Sequence, residues 1–241
     1  MKKFIYGLFV GTSVMMMGSC MGIDNFDEPG SHFTGRIIDL TTGQNILADQ
    51  GEYRVRIWEK SYSLNPAHQD IPVKQDGEFN NTKLFAGTYD VVPEGAFWPC
   101  DTIRIGIGKK AVEDFEVTPY LKLFDFKTEL VGDLLELSCR LDAPVKEGLP
   151  QIMEVRPYLS LNQFCGAGNC ISYYNTNDYR VNIMSTWENL PKLDDGKSRV
   201  YSIKLQVKPG YTYFVRMGAK VRDTHQKFNY TEIVKIEVPQ E

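Results

Sequence analysis

The sequence has little of what common enzyme sites are built from. Its 241 residues include three histidines, and none of them stands in an H-E-x-x-H pattern. A G-x-S-x-G elbow and a G-x-x-x-x-G-K-S/T phosphate loop are also missing, which argues against zinc peptidases, serine hydrolases and nucleoside triphosphatases. Glycoside hydrolysis needs only two carboxylates, but short strands offer few of the long loops that usually carry such sites. We therefore expect no enzymatic activity, no metal and no cofactor.

Positive charge is scarce as well. The chain has 27 basic and 31 acidic residues, which gives a net charge of −4. If Lys2 and Lys3 are removed with a signal peptide, the basic count falls from 27 to 25, and the net charge against 31 acidic residues becomes −6. Nucleic-acid binding needs a basic surface, so the charge argues against that class of partner.

A long apolar run is absent, and the short one that exists lies near the N-terminus. Residues 4–17 are apolar and follow two lysines. The run is too short for a membrane-spanning helix, which takes about 20 residues, and it fits a secretory signal. Two small residues then precede Cys20, which resembles the lipobox of bacterial lipoproteins. The resemblance implies removal of residues 1–19 and lipidation of Cys20, an anchor that needs no membrane helix. The alternative is a plain secreted protein.

The segment after this cysteine, residues 20–32, is polar and acidic and contains the breaker Pro29-Gly30. We predict that it is a tether between the lipid and the folded chain. Acidic residues just after a lipidated cysteine resemble the surface-export signals of Bacteroidota lipoproteins. This resemblance implies attachment to the outer membrane, with the protein facing outward at the cell surface.

Four further cysteines follow: Cys100, Cys139, Cys165 and Cys170. An exported chain can form disulfides, and only four residues separate Cys165 from Cys170. We predict a loop-closing disulfide between these two, with free thiols as the second possibility. A zinc site is the third, because the spacing is not that of zinc fingers and no histidine lies nearby.

Residues 33–118 show short alternating runs typical of strands, and no convincing helical period. Asp76-Gly77 stands between two extended runs and predicts a hairpin turn, whereas residues 60–72 are polar and predict a loop. The pattern resembles the transthyretin-like carboxypeptidase-regulatory β-sandwich, a module that is usually non-catalytic. The residues that carry the likeness are Gly35, Ile37, Asp39, Thr42, Gly43, Asp76, Gly77, Phe79, Leu84, Gly87, Tyr89 and Val91.

Residues 119–241 predict a second β domain. The clearest alternation runs through residues 201–208 and 211–221, on either side of a Pro209-Gly210 turn. A strand pair of this kind with one strand after it resembles the end of a fibronectin type III or immunoglobulin-like sandwich. The predicted fold class is therefore all-β, with two tandem β-sandwich domains.

The whole arrangement, from lipobox to second sandwich, resembles an uncharacterised family of two-domain Bacteroidota surface lipoproteins that accompany glycan uptake of the starch-utilisation-system type. The resemblance implies a non-catalytic accessory role in polysaccharide capture and uptake. It also implies an oligosaccharide or polysaccharide ligand, and an outer-membrane transporter and glycan-binding lipoproteins as partners. It carries over no site residues. The alternative is a structural or protein-docking module of the same complex that binds no glycan.

Candidate glycan-binding residues come from aromatic side chains in loops, since amphipathic rings suit a half-wet site. Trp98 follows a Gly-Ala-Phe stretch, Tyr173, Tyr174 and Asn175 lie beside the cysteine loop, and Trp187 precedes a predicted turn. For each residue there is a second interpretation. A Trp in a sandwich is more often part of the core, and of two consecutive tyrosines one can face inward.

Overall fold

The computed structural model describes residues 28–61 and 64–240, and it is built from β-strands with two short 3-10 helices, Ser172–Tyr174 and Asn177–Tyr179. The prediction of an all-β chain with two tandem sandwich domains is confirmed. The signal peptide and the predicted lipidation site Cys20 lie outside the described residues. Within the described ranges, no helix has the length and apolarity needed to cross a bilayer.

The first domain contains two sheets. One has the antiparallel order β4-β3-β6-β7, and the other is centred on β1, which pairs with β2 and β5 antiparallel and with β8 and β9 parallel. The strands are β1 (Ser31–Asp39), β2 (Gln44–Asn45), β3 (Arg54–Glu59), β4 (His68–Pro72), β5 (Glu78–Leu84), β6 (Gly87–Glu94), β7 (Ile103–Ile107), β8 (Lys110–Val112) and β9 (Phe115–Val117).

The second domain also contains two sheets. Their orders are β10-β11-β14 and β13-β12-β15-β16, and β17 pairs with β15 beside β16. The strands are β10 (Lys122–Val131), β11 (Leu134–Asp142), β12 (Ile152–Ser160), β13 (Val181–Ser185), β14 (Tyr201–Gln206), β15 (Thr212–Val221), β16 (Phe228–Tyr230) and β17 (Val234–Glu237).

Each sandwich has its own core, formed by the inward residues of its alternating strands. In the first domain the core includes Phe33, Tyr53 and Ile57, all fully buried, and in the second it includes Leu137 and Val215. The alternation that predicts one buried and one open face for each strand therefore identifies the residues that form the two cores.

Two predicted turns are present and one predicted loop is wrong. Gly77 and Gly210 both have positive φ, at 81° and 78°, and at Gly77 an added Cβ would lie 2.6 Å from the Ile46 carbonyl oxygen. The predicted loop of residues 60–72 ends in a strand, because β4 pairs with β3 through Trp58–His68 and Arg56–Asp70. As an edge strand with little buried surface, β4 has only a weak apolar period.

The first domain packs on the outer face of the β12–β15 sheet of the second. Arg216 Nη2 donates to the Ala48 carbonyl at 2.9 Å, and the Tyr53 hydroxyl donates to the Phe228 carbonyl at 2.5 Å. The Asn229 side chain donates to the Ala96 carbonyl at 2.8 Å. These three buried, directional hydrogen bonds cross the junction of the two domains.

Candidate functional site

A groove lined by tyrosines opens on the surface of the second domain, where the β12–β13 connection passes the turn between β14 and β15. Its volume is about 580 Å³. Tyr173 and Tyr211 are exposed at 64% and 48%, whereas Tyr174 and Tyr213 are buried. Two open rings thus border a floor of two covered rings. The lining residues are Leu161, Ile171, Tyr173, Tyr174, Gln206, Val207, Lys208, Tyr211 and Tyr213.

The 3-10 turn Ser172–Tyr174 sets the first pair of rings. The Tyr174 amide donates to the Ile171 carbonyl at 3.0 Å, which tightens the chain so that the two consecutive tyrosines diverge. Their rings meet edge to face, with centroids 5.0 Å apart. The Tyr174 hydroxyl donates to the Gln206 carbonyl at 2.8 Å, and burial raises its pKa to about 12. Tyr174 is therefore a fixed, neutral part of the floor.

The turn at Gly210 sets the second pair of rings. Tyr211 and Tyr213 are two residues apart, so they lie on the same side of the chain, and their centroids are 6.2 Å apart. The Tyr213 hydroxyl accepts a hydrogen bond from the Lys208 amide at 3.2 Å, which fixes this ring across the turn. Tyr211 lies just before β15 begins, and its ring is open to solvent.

This arrangement suits binding better than bond cleavage. Half-exposed tyrosine rings offer an apolar face with a hydroxyl at its edge, and Gln206 and Lys208 add polar groups beside them. No Asp or Glu is among the described residues that line the groove. A pair of carboxylates, which glycoside hydrolysis requires, is therefore not available in this lining.

A second cleft of about 550 Å³ lies between the domains, and two cations already cover one of its aromatic rings, Phe124. Lys197 Nζ lies 4.4 Å and Arg140 Cζ 5.0 Å from the centre of the Phe124 ring. These cations stack on the ring, so Phe124 has less free surface than Tyr173 or Tyr211 has. The tyrosine groove is accordingly the better candidate.

Two family models match the described chain. The N-terminal domain of a "Protein of unknown function (DUF3823)" matches residues 31–118, and the "Domain of unknown function (DUF3823_C)" matches residues 121–235. The chain belongs to the DUF3823 family. No curated protein matches the sequence.

Solved structures of similar proteins have the same DUF3823 fold. A DUF3823 family protein from Bacteroides uniformis is 22% identical, with a TM-score of 0.75 over 88% of this chain and 100% of its own. A second B. uniformis structure, named a "putative carbohydrate binding protein", is 21% identical, with a TM-score of 0.70 over 87% of this chain and 100% of its own. At this identity the similarity establishes the fold alone.

The DUF3823 fold gathers some of the predicted aromatic residues and separates others. Tyr173 and Tyr174 line the groove, and Asn175 lies directly beside it, with its carbonyl and side-chain oxygens accepting bonds from Arg156. Tyr211 was missing from the sequence prediction. Its position directly after a Pro-Gly turn was the available signal, because residues at turns often leave the sheet and become exposed.

The two predicted tryptophans do not line the groove, and the position of Trp187 in a core corrects its assignment as a glycan candidate. Trp187 is 3% exposed and packs in the second core. Trp98 is half-buried and packs on Tyr120, with ring centroids 5.3 Å apart, where the chain passes between the domains. The Trp187 ring therefore offers no free face to a sugar, whereas the Trp98 ring is partly used for packing.

The predicted disulfide is also corrected, because Cys165 and Cys170 are free thiols in the structure. The Cys165 sulfur is buried and lies 3.3 Å from both the Tyr158 and the Phe214 carbonyl oxygens. Two backbone hydrogen bonds between Gly166 and Asn169, of 3.1 and 3.2 Å, close the intervening loop instead. The loop is therefore held by its backbone and by the first domain, not by a covalent bond.

Proposed function

We propose that this protein is a non-catalytic surface lipoprotein that binds carbohydrate in the tyrosine groove. The observation that carries the proposal is the pair of open rings, Tyr173 and Tyr211, beside a floor whose hydroxyls are already bonded. Sugar rings present flat C–H faces that stack on such aromatic surfaces, while their hydroxyls reach polar groups at the ring edges.

Two further points support the proposal. A structure of the same fold, from B. uniformis, is named a "putative carbohydrate binding protein". The chain also begins with a lipobox-like sequence ending at Cys20, which fits attachment to the outer membrane and display at the cell surface. In this role the protein is accessory to polysaccharide capture and uptake, and works beside an outer-membrane transporter and other glycan-binding lipoproteins.

Affinity electrophoresis of the soluble chain from residue 21 onward tests the proposal. The gels contain a panel of neutral and acidic polysaccharides from plants, hosts and microbes. We expect one class to retard the protein, and Tyr173→Ala or Tyr211→Ala to weaken binding about tenfold each, which corresponds to about 1.4 kcal/mol.

Phe85→Ala is the matched control, since Phe85 is an exposed aromatic residue of the first domain, 41% accessible and remote in sequence from the groove. Its binding should equal that of the unchanged protein, and circular dichroism should show all variants folded. If no polysaccharide in the panel binds, the carbohydrate proposal is wrong. Cross-linking on intact cells then tests the alternative of a protein-docking module.

A further inference from the structure

A single buried carboxylate on β12 is surrounded by three cations. Glu154 is 2% exposed, and its oxygens lie 2.8 Å from Arg180 Nη1, 3.2 Å from Arg156 Nη2 and 3.3 Å from Lys220 Nζ. Burial alone would raise the pKa of Glu154, but the Arg180 hydrogen bond and the neighbouring cations lower it below its usual value. Glu154 is therefore ionised at neutral pH, and the cluster has an excess of two positive charges.

The cluster also has more hydrogen-bond donors than acceptors. Each guanidinium has five N–H donors and an ammonium has three, whereas one carboxylate offers about four acceptor positions. Asn175 accepts from Arg156 Nη1, yet Arg156 Nε is buried and has no acceptor among the described residues. Arg180 and Lys220 keep 31% and 20% of their side chains exposed. These two cations can thus reach an anion from solvent.

Neighbouring acidic groups do not remove this excess. Glu52 of the first domain accepts from the Phe228 amide and the Tyr230 hydroxyl, and Asp49 lies against Arg216 at 3.9 Å. Asp178, two residues before Arg180, is exposed. The cluster thus keeps an excess of two cations on a chain whose net charge is negative.

The cation cluster and the tyrosine groove are joined by one segment, residues 171–180. Tyr173 and Tyr174 face the groove, and the next residue, Asn175, binds Arg156 of the cluster. Tyr179 packs on both tyrosines, with centroid distances of 6.0 and 5.8 Å, and the next residue, Arg180, binds Glu154. The same ten-residue segment therefore borders the groove and contacts the cation cluster.

We propose that the ligand of the groove is an acidic polysaccharide, and that Arg180 and Lys220 bind the carboxylate of one of its uronic acid units. This inference rests on the proposed carbohydrate function. A guanidinium matches a carboxylate with two parallel hydrogen bonds, and Lys220 adds a second charge. The buried Glu154 holds both cations in place and is not itself the ligand-binding group.

The test compares uronic acid oligosaccharides with their methyl-esterified forms, which keep the sugar but remove the charge. Isothermal titration calorimetry should show the acidic form binding at least tenfold more tightly, with the difference shrinking as salt rises. Arg180→Gln and Lys220→Gln should lower the affinity for the acidic form toward that for the ester, and so shrink the ratio of the two affinities. Arg104→Gln, an exposed cation of the first domain, is the matched control and should change neither affinity.

The outcomes separate this inference from the carbohydrate proposal. Equal affinity for acid and ester, or binding of neutral polysaccharides only, overturns the acidic ligand while the groove remains a carbohydrate site. If the acidic form binds more tightly and neither Arg180→Gln nor Lys220→Gln reduces this preference, the assignment to these two residues is wrong. No binding of any sugar overturns both proposals. Circular dichroism confirms that each variant is folded before its affinity is compared.

Discussion

The outer sheet faces of the two domains carry the same kinds of charged side chain in different surroundings. On the first domain, four cations meet three carboxylates across β3, β4, β6 and β7, and the shortest pairs, Arg54–Glu94, Arg56–Asp70 and Arg104–Asp90, lie at 2.7, 2.8 and 2.7 Å. On the second domain, three cations share Glu154 alone. The first face is nearly balanced, whereas the second is positive.

The difference follows from what covers each face. The face of the first domain is more open, with Arg104 65% and Arg54 36% exposed, so water and salt screen these ion pairs. The face of the second domain is partly covered by the first, where Leu47 packs with Tyr158, Phe228 and Tyr230. Glu154 and Arg156 are largely desolvated there, at 2% and 12% exposure, and removing one partner of such a pair leaves the other charge poorly hydrated. Four predictions test this contrast.

The largest effect is expected for Asp49→Ala, at the junction of the two domains. Asp49 is 1% exposed, accepts hydrogen bonds from the Gly168 amide at 2.6 Å and the Asn169 side chain at 3.0 Å, and faces Arg216. Its loss leaves a buried guanidinium without its carboxylate, so we expect the free energy of unfolding to fall by about 4 kcal/mol. Urea denaturation measures this value, and a loss below about 1 kcal/mol would contradict it.

Glu154→Gln should have the next largest effect. The substitution keeps the shape of the side chain but leaves Arg156, Arg180 and Lys220 without a negative partner, which should cost about 3 kcal/mol of folding stability. Urea denaturation of the variant and of the unchanged protein measures this difference in the free energy of unfolding. If the variant is as stable as the original, the cations are well hydrated and the contrast between the two faces is wrong.

A smaller, pH-dependent effect is expected at Glu52, whose pKa is raised chiefly by burial between the domains. A raised folded pKa means that the folded state binds this proton more tightly than the unfolded state does. The associated stability is therefore present below the unfolded pKa and is lost as pH rises through the folded pKa.

The comparison that isolates Glu52 is with Glu52→Gln, which has no proton to lose. Relative to this variant, the unchanged protein should become less stable as pH rises from about 4, the unfolded value, through the raised folded pKa, and the difference should then level off. Urea denaturation at a series of pH values measures it. A difference that is the same at every pH would show that Glu52 is well hydrated.

The smallest effect is expected for Asp70→Asn on the open face. The Arg56 hydrogen bond lowers the pKa of Asp70, but its side chain is 31% exposed and solvent screens the pair. We expect a loss of about 0.5 kcal/mol, which is the counterpart of Glu154→Gln. A loss of several kcal/mol, measured in the same urea experiment, would show that the two faces do not differ.

Sequence patterns predicted the strands best where one face of a strand is fully buried. The alternation through β14 corresponds to its observed burial, whereas in β15 Arg216 and Gly218, on the opposite face, are buried as well. Strand β10 also alternates from Phe124 to Val131, but its inward residues are only half-buried, and a bulge between Phe124 and Lys127 shifts its register. This strand was not identified from the sequence. The sequence predicted Tyr173 and Tyr174 of the groove but not Tyr211. Tyr211 continues the alternation of β15 in the sequence, yet it lies just before that strand begins.

By itself the sequence determined the all-β class and the two-part organisation of the chain, because both follow from local period and turn residues such as Gly77 and Gly210. The tertiary structure alone decided which aromatic rings are open and which charges are crowded. Trp187 and Tyr173 are similar candidates in the sequence, yet one is in a core and the other borders a groove. Exposure and ion pairing depend on residues far apart in the chain, as with Glu154 and Lys220, and no local pattern encodes that distance.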